Sequence, residues 1–379
     1  MLQIGTILVI IIKVVIAFSA LIMIHEFGHF LVAKISGVWV EEFGLGLPPR
    51  IFGKKIGDTI YSLNWLPIGG FVRLHGETAG DEVVYPERAF TNKRKLTKIA
   101  ITLAGIVMNF ILAIFCFAIV YSITGIETNI IDVKIIAVTN DSPAAAAGIL
   151  SGDIIKDVAG NKITSTDNFK SEIDNYKGKR VVIDIEREEN GQKVLKPLTV
   201  IPRLNPPAGQ GALGVEISDV PEIYFPPIWQ RPFVGAWYGI KQTLLLSKAV
   251  VFGLGTAAQT VSQGKAPEHL VGVVGIFALF IEFAKLGILP IINLVGVISV
   301  NLAIINLIPF PPLDGSRIAI VVAEKLTRKK ITPALENKIY TIGMVILLIL
   351  MVLITAREIP SLIKSGSLSN FVTSLLREK

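Results

Sequence analysis

The sequence predicts a polytopic α-helical membrane protein with about four transmembrane helices and an inserted, soluble α+β domain. Four long apolar segments are each long enough to cross a bilayer core of about 30 Å, and they lie at residues 4–32, 99–122, 286–308 and 339–356. The region 127–206 has short strand patterns separated by glycine-containing turns instead. A shorter stretch with strand character, residues 56–76, lies between the first two apolar segments.

The composition is typical of a membrane protein. The 379 residues are 51% hydrophobic and 18% charged, with a mean hydropathy of +0.61. The formal net charge of +7 indicates cytoplasmic loops rather than a nucleic-acid surface, so the expected partners include the lipid bilayer and no nucleic acid. Cys116 is the one cysteine, which excludes a disulfide framework and a cysteine-based zinc site.

The first apolar segment contains His25-Glu26-Phe27-Gly28-His29 near its C-terminal end. Histidines four residues apart lie on one face of a helix, where both can bind one Zn²⁺ ion, and the glutamate beside them can act as a general base. Ionisable side chains are costly in a membrane-spanning helix and are functional candidates there. Two histidines that hydrogen-bond to a neighbouring helix are the structural alternative.

The stretch 56–76 predicts a β-hairpin. Ile60-Tyr61-Ser62-Leu63 and Phe71-Val72-Arg73-Leu74 have strand character, and Pro67-Ile68-Gly69-Gly70 lies between them. The edge of such a hairpin can hold an extended substrate by strand addition. A plain surface hairpin is the alternative.

Basic clusters orient the segments in the membrane. Lys93-Arg94-Lys95 and Arg328-Lys329-Lys330 lie in loops that the positive-inside rule assigns to the cytoplasm. The hairpin is therefore cytosolic, the acidic region 127–227 is extracytoplasmic, and the His-Glu-x-x-His pattern lies toward the cytosolic side.

The extracytoplasmic domain contains several motifs in a fixed order. Ser142-Pro143-Ala144 precedes Gly152-Asp153-Ile154-Ile155, a turn at Gly160-Asn161, a helix near 166–176, and strands at 181–187 and 194–201. This order resembles a PDZ domain in the permuted form common in bacterial proteases. The resemblance implies that peptide C-termini bind by strand addition. A steric filter that binds no peptide is the alternative.

Residues 207–285 are predicted to form a linker with interfacial helices. Residues 233–258 are apolar but contain Lys241, Gln242 and Lys248, which favours a helix at the membrane surface, and residues 270–284 predict a re-entrant or surface helix. Six crossings would preserve the orientation, but four are preferred. The predicted parts are 1–126, 127–206, 207–285 and 286–379.

A third metal ligand is predicted at the end of the third apolar segment. Two histidines leave a catalytic zinc one protein ligand short. Asp314 follows a run in which Pro309, Pro311 and Pro312 break the helix, as expected only around a buried site. His75 and His269 are interpreted as surface histidines.

These motifs resemble the site-2 protease family of intramembrane zinc metalloproteases. His25-Glu26-Phe27-Gly28-His29 occurs together with Asn-x-x-Pro-x-Pro-x-x-Asp-Gly at 306–315. Gly105-x-x-x-Asn109-x-x-x-Ala113 and Pro-Ile-Gly-Gly-Phe-Val-Arg at 67–73 also match the family. The single PDZ-like domain makes the chain most similar to the bacterial regulator-of-sigma-E protease branch.

The resemblance implies an enzyme of the bacterial plasma membrane that cleaves single-pass membrane proteins, such as anti-sigma factors or signal-peptide remnants. It implies that His25, His29 and Asp314 bind one Zn²⁺ ion and that Glu26 activates water. It also implies that Asn109 and Asn306 position the substrate or stabilise the transition state. Gly70 and Phe71 of the hairpin are the further predicted substrate contacts. A membrane-embedded PDZ adaptor that binds peptide ends without cutting them is the rival hypothesis, and a zinc transporter is a more distant one.

Overall fold

The computed structural model describes residues 2–77, 83–189, 191–207, 209–264, 271–329 and 331–377. The chain forms two compact units. The helical unit combines Met1–Ile123 with Trp229–Lys379, and the inserted unit is Thr124–Ile228.

Helix α1, Leu2–Ile35, is apolar, contains no proline, and ends in a Schellman motif. The Val38 N–H donates to Ala33 O at 2.9 Å, and the Gly37 N–H donates to Lys34 O at 3.1 Å. Gly37 has a φ of +66°, a left-handed conformation that glycine adopts without a Cβ penalty. This cap turns the chain out of the helix and into the first strand.

Strands β1, Val40–Ile56, and β2, Thr59–Leu74, form an antiparallel sheet that extends beyond the predicted hairpin at 56–76. Residues 42–45 of β1 pair with residues 60–63 and also with residues 70–73 of β2. The two predicted strands therefore lie on opposite sides of β1 and do not pair with each other. The sequence of β1 did not predict a strand because glycine, proline and lysine are depleted in strands.

Helix α2, Lys95–Thr124, packs closely against α1. A Cβ atom at Gly28 would lie 2.3 Å from Ala104 O, so only glycine allows this separation of the two helices. Ala33 of α1 and Ile101 of α2 are buried in one cluster with residues of both strands. The two helices and the sheet thus share a core at this end of the helical unit.

The inserted unit is an α+β fold. Its elements are β3 Ile126–Val138, α3 Pro143–Ala146, β4 Ile154–Val158, β5 Asn161–Lys162, α4 Thr166–Asn175, β6 Val181–Glu189, β7 Gln192–Val200 and β8 Val215–Tyr224. The strand order is β7-β6-β4-β3-β8, with β5 paired to β4. The predicted helix near 166–176 and the strands that follow it are present. The predicted linker 207–285 contributes β8, which pairs along β3 and belongs to this sheet.

Asp153, from the Gly152-Asp153 motif of the inserted unit, has a structural role. Asp153 is 1% exposed, and its carboxylate accepts hydrogen bonds from Arg187 Nε and Nη2, each at 2.7 Å. It also accepts from the Leu150 N–H at 2.8 Å. Asp153 raises the pKa of the Arg187 guanidinium above its usual value through this charged hydrogen bond. The ion pair between Asp153 and Arg187 thus connects the turn before β4 to β6.

The chain then returns to the helical unit, where the described residues form α5 Arg231–Ser262, α6 Val273–Leu286, α7 Ile288–Leu307, α8 Asp314–Thr327, α9 Pro333–Ser365 and α10 Leu368–Arg377. Within the described residues, five helices are long and apolar enough to cross a membrane, namely α1, α2, α5, α7 and α9. The predicted count of four is therefore not confirmed. The additional candidate is α5, which was predicted to lie at the membrane surface.

Helix α7 runs antiparallel to α2. Gly296 of α7 lies against Phe117, whereas Ser299, further along α7, donates from Oγ to Asn109 O at 2.8 Å. Residue numbers therefore rise along α7 as they fall along α2. This direction brings the end of α7 to the same end of the unit as His25 and His29.

Candidate metal centre

Three side chains predicted to bind metal lie together in the helical unit. His25 Nε2 and His29 Nε2 are 3.2 Å apart, and Asp314 Oδ2 lies 3.1 Å from the first and 3.3 Å from the second. Among the described residues, these three form the one group of three or more His, Cys, Asp or Glu side chains with metal-binding spacing. The structure thus brings together residues from α1 and α8 that are 285 or more positions apart in sequence.

This arrangement fits one zinc ion. Four ligands at about 2.0–2.1 Å in a tetrahedral site are separated from one another by roughly 3.3 Å, and the three observed separations are close to that value. Asp314 Oδ2 is buried, and its nearest polar neighbours are the two imidazole Nε2 atoms. A buried carboxylate needs a compensating charge or hydrogen bond, and a metal ion held between these three atoms would supply the charge.

The Nδ1 atom of each histidine, the ring nitrogen that does not face Asp314, has a neighbour on α2. His29 Nδ1 lies 2.8 Å from Ile101 O, so Nδ1 donates to this carbonyl and the lone pair of Nε2 is free for a metal. His25 Nδ1 lies 3.2 Å from Asn109 Nδ2. Asn109, predicted to contact substrate, is fully buried here.

Gly105 makes this approach of α2 possible. A Cβ atom at this position would lie 2.4 Å from His29 Nε2 and 2.8 Å from His25 Cε1. Real side chains do not tolerate such separations, so residue 105 must lack a side chain. The Gly105-x-x-x-Asn109 motif therefore provides the space and the polar partner that the two imidazoles need.

Asp314 reaches the histidines through a break after α7. Pro309, Pro311 and Pro312 prevent the helix from continuing, and Asp314 opens α8. The Leu313 N–H donates to Phe310 O at 2.8 Å and thereby closes the turn. A Cβ atom at Gly315 would lie 2.4 Å from the carbonyl oxygens of Leu307 and Ile308, which explains the glycine after Asp314.

Glu26 faces the sheet. Its Oε2 accepts a hydrogen bond from the Val72 backbone N–H of β2 at 3.1 Å. Gly70 of the same strand lies directly on α1, since a Cβ atom there would be 2.4 Å from Met23 Sδ. Phe71 is half-buried, and its ring covers Gly44 of β1. Residues 70–74 thus form an outer strand beside Glu26.

The remaining polar candidates lie elsewhere. Asn306 is half-buried in the last turn of α7. His75, predicted to be at the surface, is only 1% exposed because Glu41 Oε1 lies 2.7 Å from Nδ1 and the Tyr85 N–H donates to Nε2 at 3.1 Å. His269 lies outside the described residues. His75 therefore links β1 to the segment that contains Tyr85 and is not part of the metal group.

An ion pair near Asp314 was not predicted. Arg317 Nη1 donates to Glu77 Oε1 and links α8 to the end of β2. Burial disfavours the charged guanidinium, but Glu77 outweighs this effect and raises the pKa of Arg317 above its usual value. An arginine three residues after Asp314 is visible in the sequence and indicates a charge near the site. The sequence does not identify Glu77, 240 positions away, as its partner.

Comparisons with known proteins bear on the family of the chain. The model of the peptidase family M50 matches residues 13–350. A Clostridium perfringens protein that carries the name of a zinc metalloprotease is 36% identical over 351 residues, which cover 92% of this chain and 98% of the relative. A similarly named Clostridium acetobutylicum protein is 30% identical, with 91% and 96% covered. Zinc metalloprotease RasP of Shouchella clausii is 27% identical over 425 residues, with 91% and 97% covered.

Proposed function

The chain belongs to peptidase family M50, the site-2 protease family, and is a zinc metalloprotease, and we propose that it hydrolyses peptide bonds within or near transmembrane segments of single-pass membrane proteins. The substrates would include anti-sigma factors or signal-peptide remnants, as in regulated intramembrane proteolysis. The observation that carries this proposal is the triangle of His25, His29 and Asp314. The two histidines are on α1, which is long and apolar enough to cross a membrane, and Asp314 is the first residue of α8.

His25, His29 and Asp314 would hold the zinc ion through two imidazole nitrogens and one carboxylate oxygen. When bound there, zinc polarises the scissile carbonyl and lowers the pKa of water at the site. Two imidazoles and a carboxylate are a donor set that suits zinc. The Asp314 carboxylate would also neutralise part of the charge of the ion.

Glu26 would act as the general base. A carboxylate adjacent to two ligands can take a proton at one oxygen from the attacking water and return it to the leaving amine. The Val72 N–H holds Oε2 at 3.1 Å and thereby limits rotation of the carboxylate. The other oxygen, Oε1, is then the atom that handles the proton.

The substrate would bind as an extended strand beside β2. A transmembrane helix satisfies its own backbone hydrogen bonds, so it must unwind before its carbonyls can be attacked. Residues 42–45 are paired on both sides, which makes 70–74 the outer strand next to Glu26. Because the Val72 N–H already donates to Glu26 and the Leu74 N–H to Glu77, an added strand would pair with other backbone groups of this edge. Gly70 and Phe71 lie at this edge. We assign Asn306 as a further substrate-positioning group because it is half-buried in the last turn of α7, just before the break that leads to Asp314.

Packing within the helical unit supports four membrane crossings. A Cβ atom at Gly235 would lie 2.6 Å from Ala118 O, and one at Gly239 would lie 2.7 Å from Ile114 O, so α5 also starts at the C-terminal end of α2. Helix α7 also starts at the C-terminal end of α2. The chain must therefore cross the membrane an even number of times between the start of α5 and the start of α7. The 14 residues of α6 extend only about 21 Å, less than the bilayer core of about 30 Å. On this basis we propose that α5 enters the membrane without crossing it completely.

With four crossings, the basic clusters at 93–95 and 328–330 place the metal site toward the cytosol and the inserted unit outside. The bacterial sources of the relatives support a location in the plasma membrane. The cytosolic position also explains how water reaches a site on a membrane helix.

The inserted unit would bind peptide C-termini as a PDZ-like domain. Strand β8 is at the end of the strand order, and α4 lies beside it. Asp219 of β8 accepts hydrogen bonds from the Thr166 N–H at 2.7 Å and from Thr166 Oγ1 at 3.2 Å. An edge strand next to a helix is a site for strand addition, which supports peptide binding over a purely steric filter.

The test is cleavage of a model single-pass substrate by protein purified in detergent, with zinc measured on every sample. Wild type and Asp58→Asn, a control at an exposed carboxylate, are expected to contain zinc and to cleave. Glu26→Gln should contain zinc and lose about 10²–10⁴-fold in rate. Asp314→Asn should lose both. Absence of zinc in wild type would contradict the metal centre, and zinc without cleavage of any tested substrate would favour the adaptor.

A further inference from the structure

Asn109 has a polar atom that the fold leaves unsatisfied. The residue is on α2 and 0% exposed, and its backbone carbonyl accepts the hydrogen bond from Ser299 Oγ. Its side-chain Nδ2 faces His25 Nδ1 at 3.2 Å. Its Oδ1 has no hydrogen-bond partner among the described residues. Buried amide oxygens without a partner are rare and need an explanation.

The position of the ring proton on His25 supplies that explanation. An amide NH₂ can only donate, so Nδ2 opposite Nδ1 requires Nδ1 to accept and places the ring proton on Nε2. In that tautomer the proton points toward Asp314 Oδ2, 3.1 Å away. This tautomer suits a metal-free site, because a proton on His25 Nε2 occupies the position of the lone pair that would bind the metal.

Metal binding requires the other tautomer. A histidine that binds through Nε2 carries its proton on Nδ1, and two donors would then face each other across the contact with Asn109. Rotating the Asn109 amide by 180° removes this conflict, because Oδ1 then takes the place of Nδ2 and accepts from Nδ1. The same rotation gives the unsatisfied oxygen its partner.

We propose that Asn109 is a positioning residue for the metal centre, whose side-chain oxygen accepts the Nδ1 proton of His25 when zinc is bound. Ile101 O has this role for His29, at 2.8 Å. Each imidazole is thus oriented by one acceptor from α2, a backbone carbonyl for His29 and a side-chain amide for His25. The inference rests on the metal centre of the proposed function and revises the prediction that Asn109 contacts substrate.

The burial of Asn109 argues against a direct contact with substrate. A group that touches substrate needs a surface open to the binding cleft, and Asn109 has none. Its neighbours are His25 on α1 and Ser299 on α7, so substrate could reach it only if one of these helices moved.

The experiment is a zinc competition with a chelator of known affinity, on purified protein in detergent. Asn109→Leu removes the acceptor with little change in size, and zinc affinity is expected to fall about 10–100-fold, the usual cost of losing such a partner. Asn109→Asp retains an acceptor, and zinc affinity is expected to remain within a few-fold of wild type or to rise. Asn306→Leu is the matched control at the proposed substrate position, and its zinc affinity should not change.

Two results would overturn the inference. The first is unchanged zinc affinity in Asn109→Leu together with slower cleavage, which would restore the role in substrate binding. The second is a more than tenfold loss of affinity in Asn109→Asp, a test that remains available if the leucine variant does not fold. Failure of wild type to bind zinc would instead contradict the metal centre itself.

Discussion

Glu26 and Val72 are 46 residues apart in sequence, yet the Val72 backbone N–H donates to Glu26 Oε2 at 3.1 Å. Outward-facing N–H groups of an edge strand normally lack a partner within the sheet. Here one of them is used to orient a carboxylate on the neighbouring helix. Strand addition at this edge would therefore place the substrate backbone directly beside the proposed base.

Val72→Pro tests whether this hydrogen bond supports catalysis. Proline lacks the N–H and is tolerated in an edge strand where that group faces away from the ladder. A hydrogen bond to a charged group is worth about 1.5–3 kcal/mol, so kcat should fall roughly 10–100-fold while bound zinc is retained. Val72→Ala keeps the N–H and is the control. Equal rates for the two variants would show that the contact does not affect catalysis.

Gly105→Ala is expected to abolish zinc binding. The added methyl group would lie 2.4 Å from His29 Nε2, so either the imidazole or α2 must move. The control is Gly253→Ala on α5, where no atom lies within 4 Å of the new Cβ and the change should alter helix stability by only about 1 kcal/mol. Zinc content and zinc affinity measure the outcome. Normal zinc affinity in Gly105→Ala would contradict the close packing of α2 on the histidines.

The four principal residues of the candidate site can be predicted from sequence because each belongs to a local motif. His25, Glu26 and His29 are neighbours on one helix, and Asp314 follows a run of prolines. The groups that orient them are not predictable in this way. Ile101 O and the Val72 N–H are backbone atoms that every residue type possesses, so only the tertiary structure identifies them. The partner of Asn109 likewise depends on the helix packing that Gly105 permits.

The elements that were not predicted lack a regular hydrophobic pattern. The helix near 166–176 and the strands after it follow their periodicity closely. Strand β1 contains glycine and proline at several positions, and pairing with β2 overrides its weak propensity. Strand β8 is half-exposed and carries Asp219 and Pro221, which are depleted in strands, yet it pairs along β3. Both β1 and β8 are therefore strands because of their pairing with a distant partner strand and not because of their own sequence.

Glu358 is expected to stabilise the start of α6. Its Oε1 accepts from the backbone N–H groups of Gly272 at 2.7 Å and Gly275 at 3.2 Å, and the residue is 5% exposed. Glu358→Leu leaves these donors buried without a partner, which costs about 1–3 kcal/mol of stability. Glu358→Gln keeps an acceptor oxygen and should lose less. The unfolding temperature in detergent measures the effect.

The matched control for Glu358 is Glu87→Leu, which changes an exposed glutamate of the same unit. It should leave the unfolding temperature nearly unchanged. Gly275→Ala should reproduce the loss, since its Cβ would lie 2.5 Å from Glu358 Oε1. If Glu358→Leu and Glu87→Leu unfold at the same temperature, Glu358 does not cap α6.

The ion pair between Glu77 and Arg317 is expected to couple the sheet to the helix that begins with Asp314. Glu77 also accepts from the Leu74 N–H at 3.1 Å, so the pair connects the end of β2 to the first turn of α8. Arg317→Met leaves Glu77 without its partner and should lower both stability and cleavage rate. The double variant Glu77→Gln/Arg317→Met should recover part of the lost stability because no uncompensated charge remains. The coupling free energy from this double-mutant cycle should be about 1–3 kcal/mol.

The exposed pair of Asp58 and Arg88 provides the matched control for this cycle. Its side chains are 58% and 38% exposed, against 18% for Glu77 and 36% for Arg317. Water screens an exposed pair, so the cycle with Asp58→Asn and Arg88→Met should give only about 0.2–1 kcal/mol. A coupling in that low range for Glu77 and Arg317 would mean that the pair does not hold α8 against the sheet. Asp314 would then owe its position to the proline turn and to Gly315 alone.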